Sequence, residues 1–266
     1  MAQSGMPLVS YKLLNAPGLI SLPLREARAR YPIEAALGTA NALGLEPYGL
    51  VVENKTTKHI IAYVLRVTIV DERGVTRIKE RIFHNFNLEP GGGVAANGME
   101  IRPGTAQIVT PTVSIRIAPA PSNPPGQVKT GFARSTDNML KELAAQKGAV
   151  VSLDLVVFES GRVVGPDEGE VMSFVQAHFA VEKELAGLVH QELRAAKTMP
   201  EITDLLNQMA SLSPRPRLPG AAAQHWRDFV TLDLSRFYLY KARISRDELV
   251  NTVATTLRKP SLILHR

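Results

Sequence analysis

Residues 49–70 read GLVVENKTTKHIIAYVLRVTIV, and the architecture we expect follows from them. β-Branched and aromatic residues dominate from position 59 onward, and such residues fit a pleated, packed surface. A shorter apolar run at 50–52 precedes them, and the polar residues 54–58 between the two runs are typical of a turn. The stretch therefore predicts two antiparallel strands joined by a short polar turn.

The longer of these strands has two unlike faces. One face is wholly apolar and consists of Ile61, Tyr63, Leu65, Val67 and Ile69. The other face begins with apolar residues and then carries Arg66 and Thr68. This pattern suits a strand of a β-sandwich, with one face in the core and the other partly solvated.

Further strands are predicted on both sides of a Pro-rich connection. Residues 75–86 alternate, with Val75, Arg77, Lys79 and Arg81 on one face and Ile78, Ile82 and His84 on the other. Residues 105–117 read as one strand whose interior Pro111 indicates an edge position or a bulge. The four prolines within 118–135 favour a stiff extended connection, and 149–164 then predicts a closing hairpin.

The chain after Pro166 has the 3.6-residue spacing of helices. Residues 211–222 read as a linker within it, and 230–234 is open between helix and strand. Three pairs resemble capping boxes that start helices: Asp167 with Glu170, Thr198 with Glu201, and Ser245 with Glu248.

The string V-E-N-K-T-T-K-x-I-x-A-Y-V-L-R-V, followed by D-x-x-G, resembles the B–C region of bacterial immunoglobulin-like or fibronectin-III-like domains. In those domains an Asn-x-Ser/Thr turn links two core strands and a Pro-Gly loop comes later, for which 89–91 and 102–104 are the candidates. The resemblance covers about residues 45–165 and implies the sandwich fold. It implies no active-site residues, because such domains host many unrelated functions.

The expected fold class is α+β: an antiparallel immunoglobulin-like β-sandwich followed by a C-terminal α-helical region. The predicted domains are an irregular N-terminal arm at 1–44, the sandwich at 45–165 and the helical region at 166–266. The arm is broken by Pro7, Pro17 and Pro23, with room for one edge strand near 8–14.

Composition excludes several classes of protein. The chain is 45% hydrophobic and 21% charged, which is typical of a globular protein rather than a disordered one. The absence of Cys excludes disulfides, thiolate metal sites and Cys nucleophiles. No apolar run approaches the roughly 20 residues of a membrane helix. The N-terminus lacks signal-peptide features, so we expect a cytoplasmic protein from the sequence as given, or a periplasmic or secreted one if a leader precedes it.

The positive charge is unevenly placed. The last 56 residues hold 10 of the 31 Lys and Arg residues against 4 of the 25 acidic ones, so the formal net charge of +6 lies there. A basic segment attracts nucleic acid or anionic surfaces. Its basic residues are spread rather than clustered, and this favours a solvated helix surface over a binding patch.

No residue pattern indicates a catalytic, cofactor or metal site. A Gly-x-Ser-x-Gly elbow is absent, and 90–93 lacks the Gly-Lys-Ser/Thr ending of a phosphate loop. Structural or solvent-exposed roles are favoured for the histidines, none of which forms an HExxH or HxH pair: His59, His84, His178, His190, His225 and His265.

Three other polar features have a structural and a functional interpretation. Asp154, between apolar strand residues, is either a buried acid or, as we expect, an outward-pointing side chain. The acidic residues at 167, 168 and 170 fit a helix N-terminus better than a cation site. The Asn54-Lys55-Thr56 triplet matches a glycosylation acceptor, but the predicted turn already explains it.

The sequence therefore favours a non-enzymatic protein-interaction or scaffold module with a protein partner. The alternative is a binder of nucleic acid or anionic surfaces through the basic last 56 residues. An enzyme with a scattered, unrecognised site is the third hypothesis. No cofactor is expected, and the sequence specifies neither a ligand nor an oligomeric state.

Overall fold

The structure is a computed structural model that describes residues 8–27, 33–34, 38–71, 73–84, 86, 100–117, 130–195, 197–216, 221–259 and 261–266. The chain divides into two compact units. The first contains the described residues up to 86, those from 100 to 169, and 265–266, and the second contains those from 170 to 264. The protein is mixed α+β, as the sequence predicts, and the regular structure of the second unit is helical. The glycine-rich turn at 90–93 and most of the Pro-rich connection lie outside the described residues.

The first unit contains two β-sheets. Its strands are β1 (Leu8–Lys12), β2 (Leu19–Pro23), β3 (Leu50–Asn54), β4 (Ile60–Val70), β5 (Thr76–His84), β6 (Thr105–Val109), β7 (Ser114–Ile117), β8 (Gly148–Phe158) and β9 (Val163–Val164). The first sheet has the order β1-β8-β4-β5 with β9 beside β8, and the second has the order β2-β3-β6-β7. Helix α1 (Thr39–Leu45) precedes a 3-10 turn (Glu46–Tyr48), and α2 (Thr130–Ala144) precedes β8.

The first sheet is mixed, so the prediction of a purely antiparallel arrangement is wrong there. Strand β1 pairs with β8 in parallel, whereas β8 with β4 and β4 with β5 are antiparallel. Strands β1 and β8 are far apart in sequence, and no tight turn obliges them to run in opposite directions.

The two sheets share one hydrophobic core. The predicted apolar face of β4 is confirmed from Tyr63 to Ile69, and Leu50, Val52 and Val109 meet it from the second sheet. The opposite face is less exposed to solvent than predicted, because Ala62, Val64 and Arg66 are also buried. Only its last two residues, Thr68 and Val70, are half-exposed.

A polar group inside this core is fully paired. The Tyr63 hydroxyl lies 2.6 Å from Gln107 Oε1 and 2.6 Å from Ser114 Oγ, and Gln107 Nε2 donates to the Glu100 carbonyl over 2.8 Å. Burial raises the pKa of Tyr63 well above its ordinary value, so the hydroxyl stays neutral and keeps its proton for a hydrogen bond. The network joins β4 to β6 and β7 without placing a charge in the core.

Residues 8–23 form two strands. Strand β1 lies in the stretch near 8–14 where one edge strand was expected, whereas β2 was not predicted and pairs with β3 along its whole length. Pro17 precedes β2 and Pro23 is its last residue, positions that an edge strand tolerates because its outer N–H groups need no partner. The side chain of Leu19 is buried in the core shared by the two sheets.

Residues 105–117 form a hairpin rather than the single strand that we predicted. Strands β6 and β7 are antiparallel, and Thr110 N–H donates to the Val113 carbonyl over 2.9 Å to close the turn between them. Pro111 occupies the second position of this turn, where its fixed φ is favourable.

The second unit contains α3 (Val171–Arg194), α4 (Met199–Ala210), α5 (Ala222–Ile244) and α6 (Arg246–Arg258). The capping box of Thr198 with Glu201 is confirmed, and Ser245 Oγ accepts the Glu248 N–H over 3.0 Å as predicted. Residues 230–234, open between helix and strand, are helical. Residues 212–216 of the predicted linker lie outside the helices.

Candidate functional site

Strand β5 is an edge of the first sheet. It forms a hairpin with β4 that is aligned from Val70 opposite Thr76 to Ala62 opposite His84. The turn between the two strands is held by Asp71, whose Oδ1 accepts the N–H groups of Arg73 and Val75, each over 2.9 Å. Within the part of the chain that the structure describes, no strand pairs with the other side of β5.

Three cations alternate along β5, and we call Arg77, Lys79 and Arg81 the basic row. They lie opposite Ile69, Val67 and Leu65 of β4, so they share the face of the sheet that carries the core. The basic row thus lies at the edge of the sheet face that carries the core, and it makes this edge positively charged. The sequence showed this alternation, but an alternating strand with cations on one face is also the ordinary pattern of a solvated edge.

The three cations have different surroundings. Lys79 Nζ lies 2.9 Å from Glu142 Oε1 of α2, which already places one carboxylate on the row. The Arg81 guanidinium lies over the Phe83 ring, 5.9 Å from its centroid. Neither Arg77 nor Arg81 has an acidic partner among the described residues.

A small cavity of about 110 Å³ opens beside the basic row. Leu65 and Val67 of β4 form its apolar lining, together with Pro111 and Met139. Residues 79–81 of β5 supply its charged margin. The opposite face of the strand is apolar at Ile78, of which 49% is exposed. Strand β5 therefore presents cations on one face and an exposed aliphatic side chain on the other.

Asp154 is buried, with 1% of its surface exposed, so the expected outward orientation is wrong. It lies at a β-bulge, where the pairing register between β8 and β4 shifts. A bulge of this kind changes the direction in which a side chain points. Its Oδ1 and Oδ2 accept the N–H groups of Glu168 and Gly169, each over 3.0 Å, and its carbonyl accepts the Asp167 N–H over 3.1 Å. The carboxylate therefore holds the segment that follows β9.

This segment cannot form the helix start that the sequence predicted. Asp167 and Glu170 have φ values of 57° and 53°, in the left-handed region, and α3 begins only at Val171. Gly165, with φ 118°, lies so close to the Asp154 carbonyl that a Cβ would collide with it. The hydrogen bonds to Asp154 replace the predicted capping box.

Arg66 links the same segment to β5. Its Nη1 lies 3.4 Å from Glu80 Oε1, and its Nε lies 3.8 Å from Glu168 Oε2. The Glu80 carboxylate also occupies the space that a Cβ at position 169 would need, which explains why residue 169 is a glycine. Glu168, one of the acidic residues at 167–170, thus pairs with a buried cation of the protein.

The Asn54-Lys55-Thr56 triplet is part of the fold. Asn54 is fully buried, and its Nδ2 donates to the carbonyls of Lys58 and Ile101, each over 2.8 Å. Its Oδ1 accepts the Thr56 N–H over 3.0 Å and the Thr56 hydroxyl over 2.7 Å. The amide nitrogen is therefore engaged within the turn.

The histidines and other ligand-type side chains are dispersed. His59 Nδ1 lies 3.5 Å from Glu100 Oε2, His178 is buried in α3, and His190 is exposed. In the described ranges, no three side chains of His, Asp or Glu are placed to hold one metal ion.

Much of the basic C-terminal segment is engaged within the second unit. Four of its cations pair with carboxylates: Arg215 with Asp228, Arg227 with Glu184, Lys241 with Glu248, and Lys259 with Glu182. Arg246 donates to the Lys197 carbonyl over 3.3 Å. Arg236 and Arg243 of α5 and Arg258 of α6 are exposed.

Among the described helices, none has the length and apolar character needed to cross a bilayer. Comparisons with protein families, curated proteins and solved structures found no match to this chain.

Proposed function

We propose that this chain is a non-enzymatic protein-interaction module built on an immunoglobulin-like β-sandwich, and that its partner binds along β5. The observation that carries the proposal is the outer edge of β5, a strand of nine residues with which no other strand of the described residues pairs on that side. The unpaired N–H and C=O groups of such an edge are available to another strand. A cavity with an apolar lining lies directly beside it.

Two further observations support a binding role over a catalytic one. The buried carboxylate of Asp154 is committed to backbone N–H groups, and Glu80 and Glu168 are committed to Arg66. These three carboxylates stabilise the fold. The two sheets with a shared core and the Asn54 turn are the features that favour the immunoglobulin-like family.

The alternative, a polyanion binder that uses the last 56 residues, has weaker support. Among the residues described there, four cations pair with carboxylates. Phosphate backbones are bound by several cations acting together. On β5, by contrast, three cations share one face of a single strand.

Site-specific photo-crosslinking tests the proposal. A benzoylphenylalanine residue replaces Ile78 on β5 in the full chain, which is expressed in its native host and irradiated. The matched control places it at Leu8, which is 82% exposed on β1, the opposite edge of the same sheet. We expect a discrete protein adduct from position 78 and none from position 8. No adduct at 78, or the same adducts from both positions, would contradict the proposal.

A further inference from the structure

The basic row determines what kind of strand fits beside β5. Side chains of a strand alternate between its two faces, and a strand added at an edge places its own alternate residues beside those of its neighbour. On the core face these neighbours are Arg77, Lys79 and Arg81. On the opposite face they include the exposed Ile78 and the half-buried Ile82.

We propose that β5 binds an extended acidic segment of a partner protein, in which Asp or Glu alternates with β-branched apolar residues. This deepens the proposed function, on which it rests, by naming the chemistry of the partner. The acidic residues of the segment pair with Arg77 and Arg81, and its apolar residues pack against Ile78 and Ile82. Main-chain hydrogen bonds supply affinity, and the alternating side chains supply the selection.

Glu142 shows that the basic row accepts carboxylates. It lies on α2, and its pairing with Lys79 satisfies the middle cation of the row. Arg77 and Arg81 remain on either side without an acidic partner in the described residues. A planar guanidinium pairs with a carboxylate through two parallel hydrogen bonds, which makes these two arginines suitable anchors.

A second copy of this chain is a poor occupant of the same edge. Pairing β5 with β5 would bring two basic rows onto the same face of a continuous sheet. Like charges on neighbouring strands are destabilising, whereas opposite charges are stabilising. The charge of the row therefore favours an acidic strand and opposes self-pairing.

The test measures binding of short peptides to the full chain by fluorescence polarisation at about 150 mM salt, where loosely held surface charges are screened. The probe is a labelled peptide of sequence SEVEVEVES with blocked termini. A peptide with the same composition but grouped acids, SEEEEVVVS, and a basic peptide, SKVKVKVKS, are the controls. We expect saturable binding of the alternating acidic peptide and none of the other two.

Variants of the chain locate the contact. We expect the double variant Arg77→Glu/Arg81→Glu to weaken peptide binding by at least about tenfold, because two attractive pairs become repulsive. The variant Arg236→Glu/Arg243→Glu changes the net charge equally but on α5, and should leave binding unchanged. Equal losses in both variants would overturn the proposal.

Backbone methylation separates strand addition from simple charge attraction. One version of the probe is N-methylated at its Val residues and another at its Glu residues. Only one of these sets points towards β5 in an added strand, so one version should lose binding and the other retain it. If both versions bind like the parent, the contact is charge attraction without strand addition and the proposal is overturned.

The two proposals fail separately. A protein adduct from position 78, together with no binding of the alternating peptide, would overturn the proposal of an acidic partner strand. It would leave intact the proposal that β5 is an interaction surface. The absence of any adduct from position 78 would overturn the proposed function.

Discussion

Asp154 has both carboxylate oxygens occupied by backbone N–H groups of the segment at 167–169, in a position closed to solvent. An ionised carboxylate is costly to bury unless its charge is met by several hydrogen bonds. The N–H groups of Glu168 and Gly169 supply these hydrogen bonds to the carboxylate. Asp71 makes a similar pair of bonds in the turn before β5, but at a half-exposed position.

We expect Asp154→Ala to lower the free energy of unfolding by about 3 kcal/mol, because the buried Gly169 N–H and the partly buried Glu168 N–H both lose their carboxylate acceptor. Asp71→Ala removes the same number of hydrogen bonds where water can replace the acceptor, and should cost about 1 kcal/mol or less. Urea unfolding of the two variants measures the difference. Equal losses would show that burial of Asp154 does not determine its contribution.

Glu100 is a second buried acid, and its pairing gives the protein a defined response to pH. Burial raises the pKa of its carboxyl, but the hydrogen bond and charge of Arg102, with Nε 2.7 Å from Oε1, together with His59, lower it further than burial raises it. The net pKa is below the ordinary value of 4.5. Glu100 therefore stabilises the folded state above the pKa of the unfolded chain and loses this contribution as pH falls through the lower folded-state pKa.

We expect Glu100→Gln to be less stable than the wild type at pH 7 and to approach it in stability at pH 3. A protonated Glu and a Gln are both neutral, so the difference between the two chains should shrink as the acid titrates. Chemical unfolding at several pH values measures this. A difference that is the same at pH 7 and pH 3 would contradict the assignment of the lowered pKa.

Helix α6 is completed by residues of α3. Lys183 Nζ donates to the carbonyls of Thr256 over 2.8 Å and Leu257 over 3.0 Å, and also to that of Lys259. The last carbonyls of a helix lack partners within it, and a cation there also complements the helix dipole. The neighbouring Glu182, which is buried, holds Lys259 Nζ at 2.7 Å. Two successive residues of α3 thus fix the end of α6.

Replacing Lys183 by Met should fray the last turn of α6 and cost about 1 kcal/mol. Hydrogen exchange of the amides near 256–258 should quicken by about fivefold to tenfold in this variant. Arg258→Met removes an exposed cation of the same turn and is the matched control, with little change expected. Similar exchange in the two variants would argue against the role of Lys183 as a cap.

The charge distribution of the whole molecule affects its tendency to associate with itself. Strand β5 is a long edge with an exposed Ile78, and such an edge is a template for pairing between copies. The basic row opposes this pairing by repulsion. The same cations that select an acidic strand therefore keep two copies apart.

Neutralising the basic row should increase self-association. We expect Arg77→Gln/Lys79→Gln/Arg81→Gln to form dimers or larger species at concentrations where the wild type does not, measured by light scattering after gel filtration. The variant Arg236→Gln/Arg243→Gln/Arg258→Gln removes the same charge from α5 and α6. If both variants associate equally, the loss of net charge and not the edge is responsible.

Local patterns in the sequence predicted those strands and helices whose structure is determined by their own residues. Alternation and β-branched residues identified β4, β5 and β8, and the 3.6-residue spacing with the caps at Thr198 and Ser245 identified the helices of the second unit. These signals depend on neighbours a few residues away, so they can be read without the fold. The resemblance to immunoglobulin-like domains added an expected family, which stays a prediction.

The tertiary structure alone decided the features on which the proposed site depends. The inclusion of β1 and β2 in the sheets and the burial of Asp154 each require partners outside the local stretch of sequence. Whether the alternating cations of β5 form an ordinary solvated surface or a selective edge depends on which strand lies beside them. Strand order is set by packing between distant segments, and no local pattern of residues encodes it.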